Sequence, residues 1–216
     1  MAEIPQAFPE TGGSAVASYD QRDLANGTGI TAFSLALASF SGSNTSILTQ
    51  STIYSHDAEL SGSTSSTGLI SDVDYDLTSF NLPQDIKGTA YVNIPNTLAT
   101  GGGTGTSFLR VFLRKWDGTT ETDIASAMSA TLDCSSADRG RVHLISLPIT
   151  TPVHFTTGET LRLTVQQYIP ASTGTVRWAY GIDPKDRSTG VYMTNINGVT
   201  MPTTNSVAHI PFRIDI

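Results

Sequence analysis

Alternation, not helical periodicity, runs along most of this chain. In TAFSLALASF, residues 31–40, Phe33, Leu35 and Leu37 fall on one side and Ala32, Ser34, Ala36 and Ala38 on the other. That is the two-residue period of a half-buried strand. Further strand-like runs follow at 46–54, 86–94, 107–116, 121–132, 142–149, 160–169, 175–180 and 206–216. They are separated by turn formers such as Gly101-Gly102-Gly103, Asp117-Gly118, Gly158, Ser172-Thr173-Gly174 and Asn197-Gly198. The run DIASAMSATL, 123–132, contains the good helix formers Ala and Met. Its Ser and Thr residues and the turn before it favour a strand or a single helical turn.

Strands without intervening helices predict an all-β fold, an antiparallel two-sheet sandwich of jelly-roll-like form with about eight to ten strands. An immunoglobulin-like sandwich is the rival, but it is usually shorter. Residues 1–29 hold Pro5, Pro9 and Gly12-Gly13 without a sustained period and read as an N-terminal arm or irregular lead-in; residues 30–216 form the expected β-domain. At the C-terminus Ile210, Phe212, Ile214 and Ile216 alternate with His209, Pro211, Arg213 and Asp215. The chain should therefore end inside a sheet, with an edge or bulge at Pro211, which lacks an N–H.

The stretch SFLRVFLRKW, 107–116, departs from the simple pattern because both of its faces are large. Leu109, Val111 and Leu113 suit the core. Phe108, Arg110, Phe112, Arg114 and Trp116 share the opposite face, and such an area of ring surface calls for a cover. Three covers compete: the N-terminal arm or a loop, with arginine stems lying on the rings; a neighbouring subunit; or a carbohydrate or peptide. Asp117-Gly118 then predicts a tight hairpin turn into residues 120–132.

Charge narrows the partners. Nineteen acidic and twelve basic residues leave a net charge of -7, and no basic stripe is present, so nucleic acid and anionic membrane are not expected partners. Cys134 is alone, which rules out an intrachain disulfide and leaves stability to the core or to neighbouring subunits. The first residues, MAEIPQAFPETGG, lack the basic and apolar regions of a secretion signal, and the chain reads as soluble.

Candidate chemistry is sparse. Asp72, Asp74 and Asp76 have the alternate spacing that can wrap Ca²⁺, although Leu77 and Asn81 stand near the places where an EF-hand loop has glycine and glutamate. A solvated strand face or loop is the simpler reading of the three acids. His56, His143, His154 and His209 show no H-x-x-x-H or H-E-x-x-H spacing, and no G-x-S-x-G elbow occurs. The glycine-rich TGGGTG, 100–105, is followed by no Lys-Ser/Thr and reads as a loop. No catalytic residue or cofactor is assigned on this basis, and the chain is expected not to be an enzyme.

Three features of the last part of the chain carry a resemblance: Phe155, Gly158, Glu159, Leu161, Arg162 and Leu163 in an F-x-x-G-E-x-L-R-L strand; the Asp183-Pro184 turn; and the closing Pro211, Phe212, Arg213, Ile214 and Asp215. Over residues 80–216 the chain resembles virion structural proteins of tailed phages and related archaeal viruses. The resemblance implies a capsid decoration, cement or turret component on the virion surface, assembled in the host cytoplasm as a homo-oligomer, a trimer above all, against other virion proteins such as the major capsid protein. A host-attachment or carbohydrate-binding module of a tail or fibre is the alternative.

Overall fold

The computed structural model describes residues 17–18, 28–40, 43–51, 58–183, 193–194, 200–201 and 206–213. The described residues are strands and their connections, with no helix among them, so none is long and apolar enough to cross a membrane. In chain order the strands are β1 (Ala17–Ser18), β2 (Thr28–Phe40), β3 (Ser43–Thr49), β4 (Ala58–Thr64), β5 (Gly68–Asp76), β6 (Gln84–Thr100), β7 (Gly105–Trp116) and β8 (Glu121–Met128). They continue with β9 (Leu132–Asp133), β10 (Arg139–Phe155), β11 (Thr160–Ser172), β12 (Val176–Asp183), β13 (Met193–Thr194), β14 (Thr200–Met201) and β15 (Val207–Arg213).

Two layers result. One contains β10, β6, β15, β2 and β3, with β12 and β4 beside the C-terminal half of β6; the other contains β5, β11, β7 and β8. Among the described strands of this sandwich every ladder is antiparallel except the parallel bridge Ile47 to Asp76, which joins the layers at β3 and β5. The fold is all-β and jelly-roll-like, as the alternation predicts. The run 121–132 is not helical: it forms β8 and, after a short connection, enters β9 at Leu132.

The core lies between the layers. Leu109, Val111 and Leu113 of β7 meet Leu161, Leu163 and Val165 of β11, and Ile86, Val92, Ile94 and Leu98 of β6 meet Ile145, Leu147 and Ile149 of β10. β10 alternates cleanly, with Leu144, Ser146, Pro148 and Thr150 exposed. Among the described strands it pairs only with β6, an edge position that suits Pro148 and Pro152, which have no N–H for a second neighbour.

The C-terminal strand β15 lies between β6 and β2. Ala208 and Ile210 are fully buried, and the β6 register shifts between His209 and Phe212, which places a bulge at Pro211. Ile214 and Ile216 lie outside the described residues. Of the expected lead-in, Ala17 and Ser18 pair with Thr31 and Ile30 of β2.

His143 sits on the core side of β10, opposite Ile94. Burial first, and the Arg141 charge second, push its imidazole below its ordinary value of 6.5. A depressed imidazole stays neutral in the fold while the unfolded chain takes up a proton, so stability should fall as pH drops from about 7.5 to about 5.5. Urea midpoints across that range check this. His143→Leu should flatten the slope, and an unchanged slope would show that another group causes it.

Candidate functional site

The outward face of β5, β11, β7 and β8 carries the residues singled out in the sequence. On β7 the outward set is Phe108, Arg110, Phe112, Arg114 and Trp116. Their β11 neighbours in register are Tyr168, Gln166, Thr164, Arg162 and Thr160. β11 in turn sets Arg162, Thr164 and Gln166 opposite Asp76, Asp74 and Asp72 of β5. On the far side β8 supplies Glu121, Asp123, Ser126 and Met128 opposite Trp116, Arg114, Phe112 and Arg110.

The rings are covered largely by guanidinium groups of the same sheet. Arg110 and Arg114 each lie 4.4 Å from the centre of the Phe112 ring, and Arg162 lies 4.5 Å from that of Trp116. Phe108 and Tyr168 stack with centroids 5.1 Å apart and planes 6° from parallel. Phe112 is left only 5% exposed, although it points away from the core. The arrangement follows from strand geometry: residues two apart project on one side within side-chain reach, and a flat cation on a ring face is favourable.

The cations are then tied to carboxylates. Arg162 grips Asp76 with two parallel bonds, Nε to Oδ1 at 2.6 Å and Nη2 to Oδ2 at 2.7 Å. Its Nη1 lies 3.2 Å from Asp74 Oδ2 and donates to Glu121 Oε1 at 2.5 Å. Glu121 is shared, because Arg114 Nη1 donates to its other oxygen at 2.9 Å while Arg114 Nε donates to Asp123 at 2.8 Å. A chain of charge thus crosses four strands, Asp76–Arg162–Glu121–Arg114–Asp123. The Asp76 bonds, opposed by burial and reinforced by Glu121 and Asp74, raise the Arg162 pKa above its ordinary value.

Asp72, Asp74 and Asp76 form a ridge and not a cage. Alternate residues on a strand stand roughly 6.5 Å apart, too far to close around one ion at about 2.4 Å. Each is instead bound across β11: Gln166 Nε2 donates to Asp72 at 2.9 Å, Thr164 Oγ1 donates to Asp74 at 2.6 Å, and Arg162 holds Asp76. Among the described residues no group of three or more His, Cys, Asp or Glu side chains is placed to hold a metal.

Arg110 differs from the other two arginines. Among the described residues no carboxylate pairs with it; its register neighbours are Gln166 on β11 and Met128 on β8, the latter 63% exposed. Leu69, near Tyr168 on the β5 side, is 47% exposed. The face therefore has an acidic half whose two arginines are tied to carboxylates, and an aromatic half where Arg110 has no carboxylate partner among the described residues and apolar side chains are exposed. Arg162, Glu121 and Asp123 were absent from the sequence-derived candidates for this face. The legible signal was the Arg162, Thr164, Gln166, Tyr168 alternation, whose polar types complement the three aspartates.

The hairpin that brings β8 back to β7 is built as its sequence predicts. Gly118 has φ +98°, a conformation open to glycine, and Asp117 accepts hydrogen bonds from the backbone N–H groups of Thr119 and Thr120. Those bonds hold the Asp117 carboxyl below its ordinary value.

No family model matches this sequence, and no curated protein matches it. Solved structures of similar shape include a CocE/NonD family hydrolase from Staphylococcus aureus, with 11% identity, a TM-score of 0.46, and coverage of 83% of this chain and 36% of the hydrolase. An aminopeptidase from a marine sediment Thaumarchaeota archaeon has 8% identity, a TM-score of 0.42, and coverage of 66% and 25%. The infectious bursal disease virus Gt strain structure has 13% identity, a TM-score of 0.31, and coverage of 98% and 43%. The chain thus spans about a third or less of the two enzymes and under half of the viral chain. Hydrolases are among these similar structures, and the expectation that the chain is not an enzyme is withdrawn. That expectation rested on missing motifs, and a missing motif excludes only the reaction that the motif serves.

Proposed function

We propose that this chain is a structural β-sandwich of a virus particle, a decoration, cement or turret component on the virion surface. It associates with copies of itself, in the proposed form a trimer, and with shell protein through the outward face of β5, β11, β7 and β8. One observation carries the reading: Arg110 has no carboxylate partner among the described residues, yet it stands between the stacked Phe108–Tyr168 pair, Phe112 and the exposed Met128. Aromatic residues, Met and Arg are the types that interface centres enrich. The surplus of acids on the same sheet supplies what Arg110 of another copy would need: three arginines there face Asp72, Asp74, Asp76, Glu121 and Asp123. The net charge of -7 disfavours packaged nucleic acid as the partner.

Arg110→Glu tests the reading without cutting into the core. Placing a sixth carboxylate on an already acidic face should weaken self-association at least about tenfold, equivalent to about 1.4 kcal/mol. The melting temperature of the isolated chain should stay close to that of the parent. Sedimentation velocity over a concentration series reads the change. Unaltered association in Arg110→Glu would move the interface elsewhere.

A further inference from the structure

Besides scattered buried polar residues such as His143 and Ser107, the described interior between the layers carries one polar seam. Asn96, between Ile94 and Leu98 on the core side of β6, is the cross-strand partner of Tyr180 on β12, and both are buried from solvent. Tyr75, on β5 of the opposite layer, is also fully buried and lies close enough to Tyr180 for their titrations to influence each other. Tyr180 lies beside Ser71 as well, and Ser71 is the cross-strand partner of Gln167, again fully buried. The four side chains thus form one continuous set linking β6 and β12 to β5 and β11.

Among the described residues, no hydrogen-bond partner satisfies Gln167 Oε1 or either the oxygen or the nitrogen of the Asn96 amide, and the Tyr75 and Tyr180 hydroxyls, which lie beside each other and beside Ser71, complete no bond of good geometry there. Native interiors rarely leave such atoms unpaired, and ordered water making two to four bonds is the usual partner where protein groups fall short. Burial, the leading cause, pushes the hydroxyl pKa of both tyrosines up, so both keep their protons at neutral pH and can donate as well as accept. An occupant must therefore be uncharged, must offer donors and acceptors together, and must fit a closed interior. Water meets all three requirements.

We propose that the seam of Asn96, Tyr180, Tyr75 and Gln167 is a built internal hydration site, where bound water joins the two layers of the sandwich. Tyr180→Phe and Tyr75→Phe test it, because each removes one hydroxyl and keeps the ring. A hydroxyl bridged through water loses bonds when deleted, so each variant should melt lower by about 2–4 °C. A hydroxyl in a dry core only costs desolvation, and its removal would raise the melting temperature. A fall in both variants is the expected result; a rise or no change in either overturns the proposal. A high-resolution crystal structure of the parent chain gives an independent reading that needs no variant. Water within about 3 Å of Tyr180 Oη and the Asn96 amide supports the site, and direct side-chain bonding without water refutes it.

Discussion

Arg162→Ala should lower the stability of the fold by about 2–3 kcal/mol, a drop of roughly 5–10 °C in melting temperature for a chain of this length. The residue is the hub of the outward face: it holds Asp76 with two bonds, approaches Asp74, shares Glu121 with Arg114, and covers Trp116. Its side chain is 12% exposed, and its loss would leave Asp74 and Asp76 side by side without their cation. The loss stays below the usual cost of breaking a buried pair because Asp74 and Asp76 are more than a third exposed and solvent screens them. Arg162→Lys should recover only a small part, since an ammonium cannot reproduce the two parallel bonds to Asp76. Thermal melts of both variants at low and high salt check this. Equal stability of the Ala variant and the parent would mean that the charge chain is incidental.

Phe155→Ala should cost more, about 3–5 kcal/mol. Phe155 is fully buried at the end of β10, packs edge to face on Phe80 at 5.0 Å, and lies 5.8 Å from Lys115 Nζ. Around it the chain is tied twice: Phe80 N–H donates to the Glu159 carbonyl, and Gly158 N–H donates to the Phe80 carbonyl. Glu159 anchors the turn by accepting from the Thr156 N–H at 2.6 Å and pairing with Lys115 at 2.6 Å. Burial pushes the Glu159 carboxyl up, but the Lys115 and Thr156 contacts outweigh it and hold the pKa below the ordinary value. Removing the ring would open a cavity under both ties. Chemical denaturation should show a lowered midpoint, and a loss below about 1 kcal/mol would show that the site collapses around the gap.

Both residues belong to the F-x-x-G-E-x-L-R-L run, and their roles show what that motif contains. Phe155, Leu161 and Leu163 are core, Glu159 fastens the turn, and Arg162 organises the outward face. The motif is a folding device. Strand 107–116 was equally legible, since its two alternating faces are the core and outward faces of β7.

Other parts were not legible, for reasons found in the packing. β4, AELSGST, lacks an apolar alternation partly because Trp178 of β12 lies over Gly62, where a Cβ would come within 2.9 Å of the indole. The small residue makes room for a ring that sits far away in sequence. At its C-terminal end β6 is buried on both sides, with Thr97 and Ala99 enclosed as fully as Leu98, so the period of two disappears from residues 95–99. The charge chain was hidden because its members are non-local: Arg162 and Asp76 are 86 residues apart and meet only when β11 pairs with β5. Sequence spacing marked the three aspartates as a cluster, and only pairing showed that their partners are arginine, threonine and glutamine side chains.

The central claim, association through the β5–β11–β7–β8 face, is tested most directly by the mass of the native chain in solution. Multi-angle light scattering at micromolar concentration should give a mass that is a multiple of 22.9 kDa and falls toward that value in Arg110→Glu. A single species of 22.9 kDa at every concentration, identical in parent and variant, would contradict it.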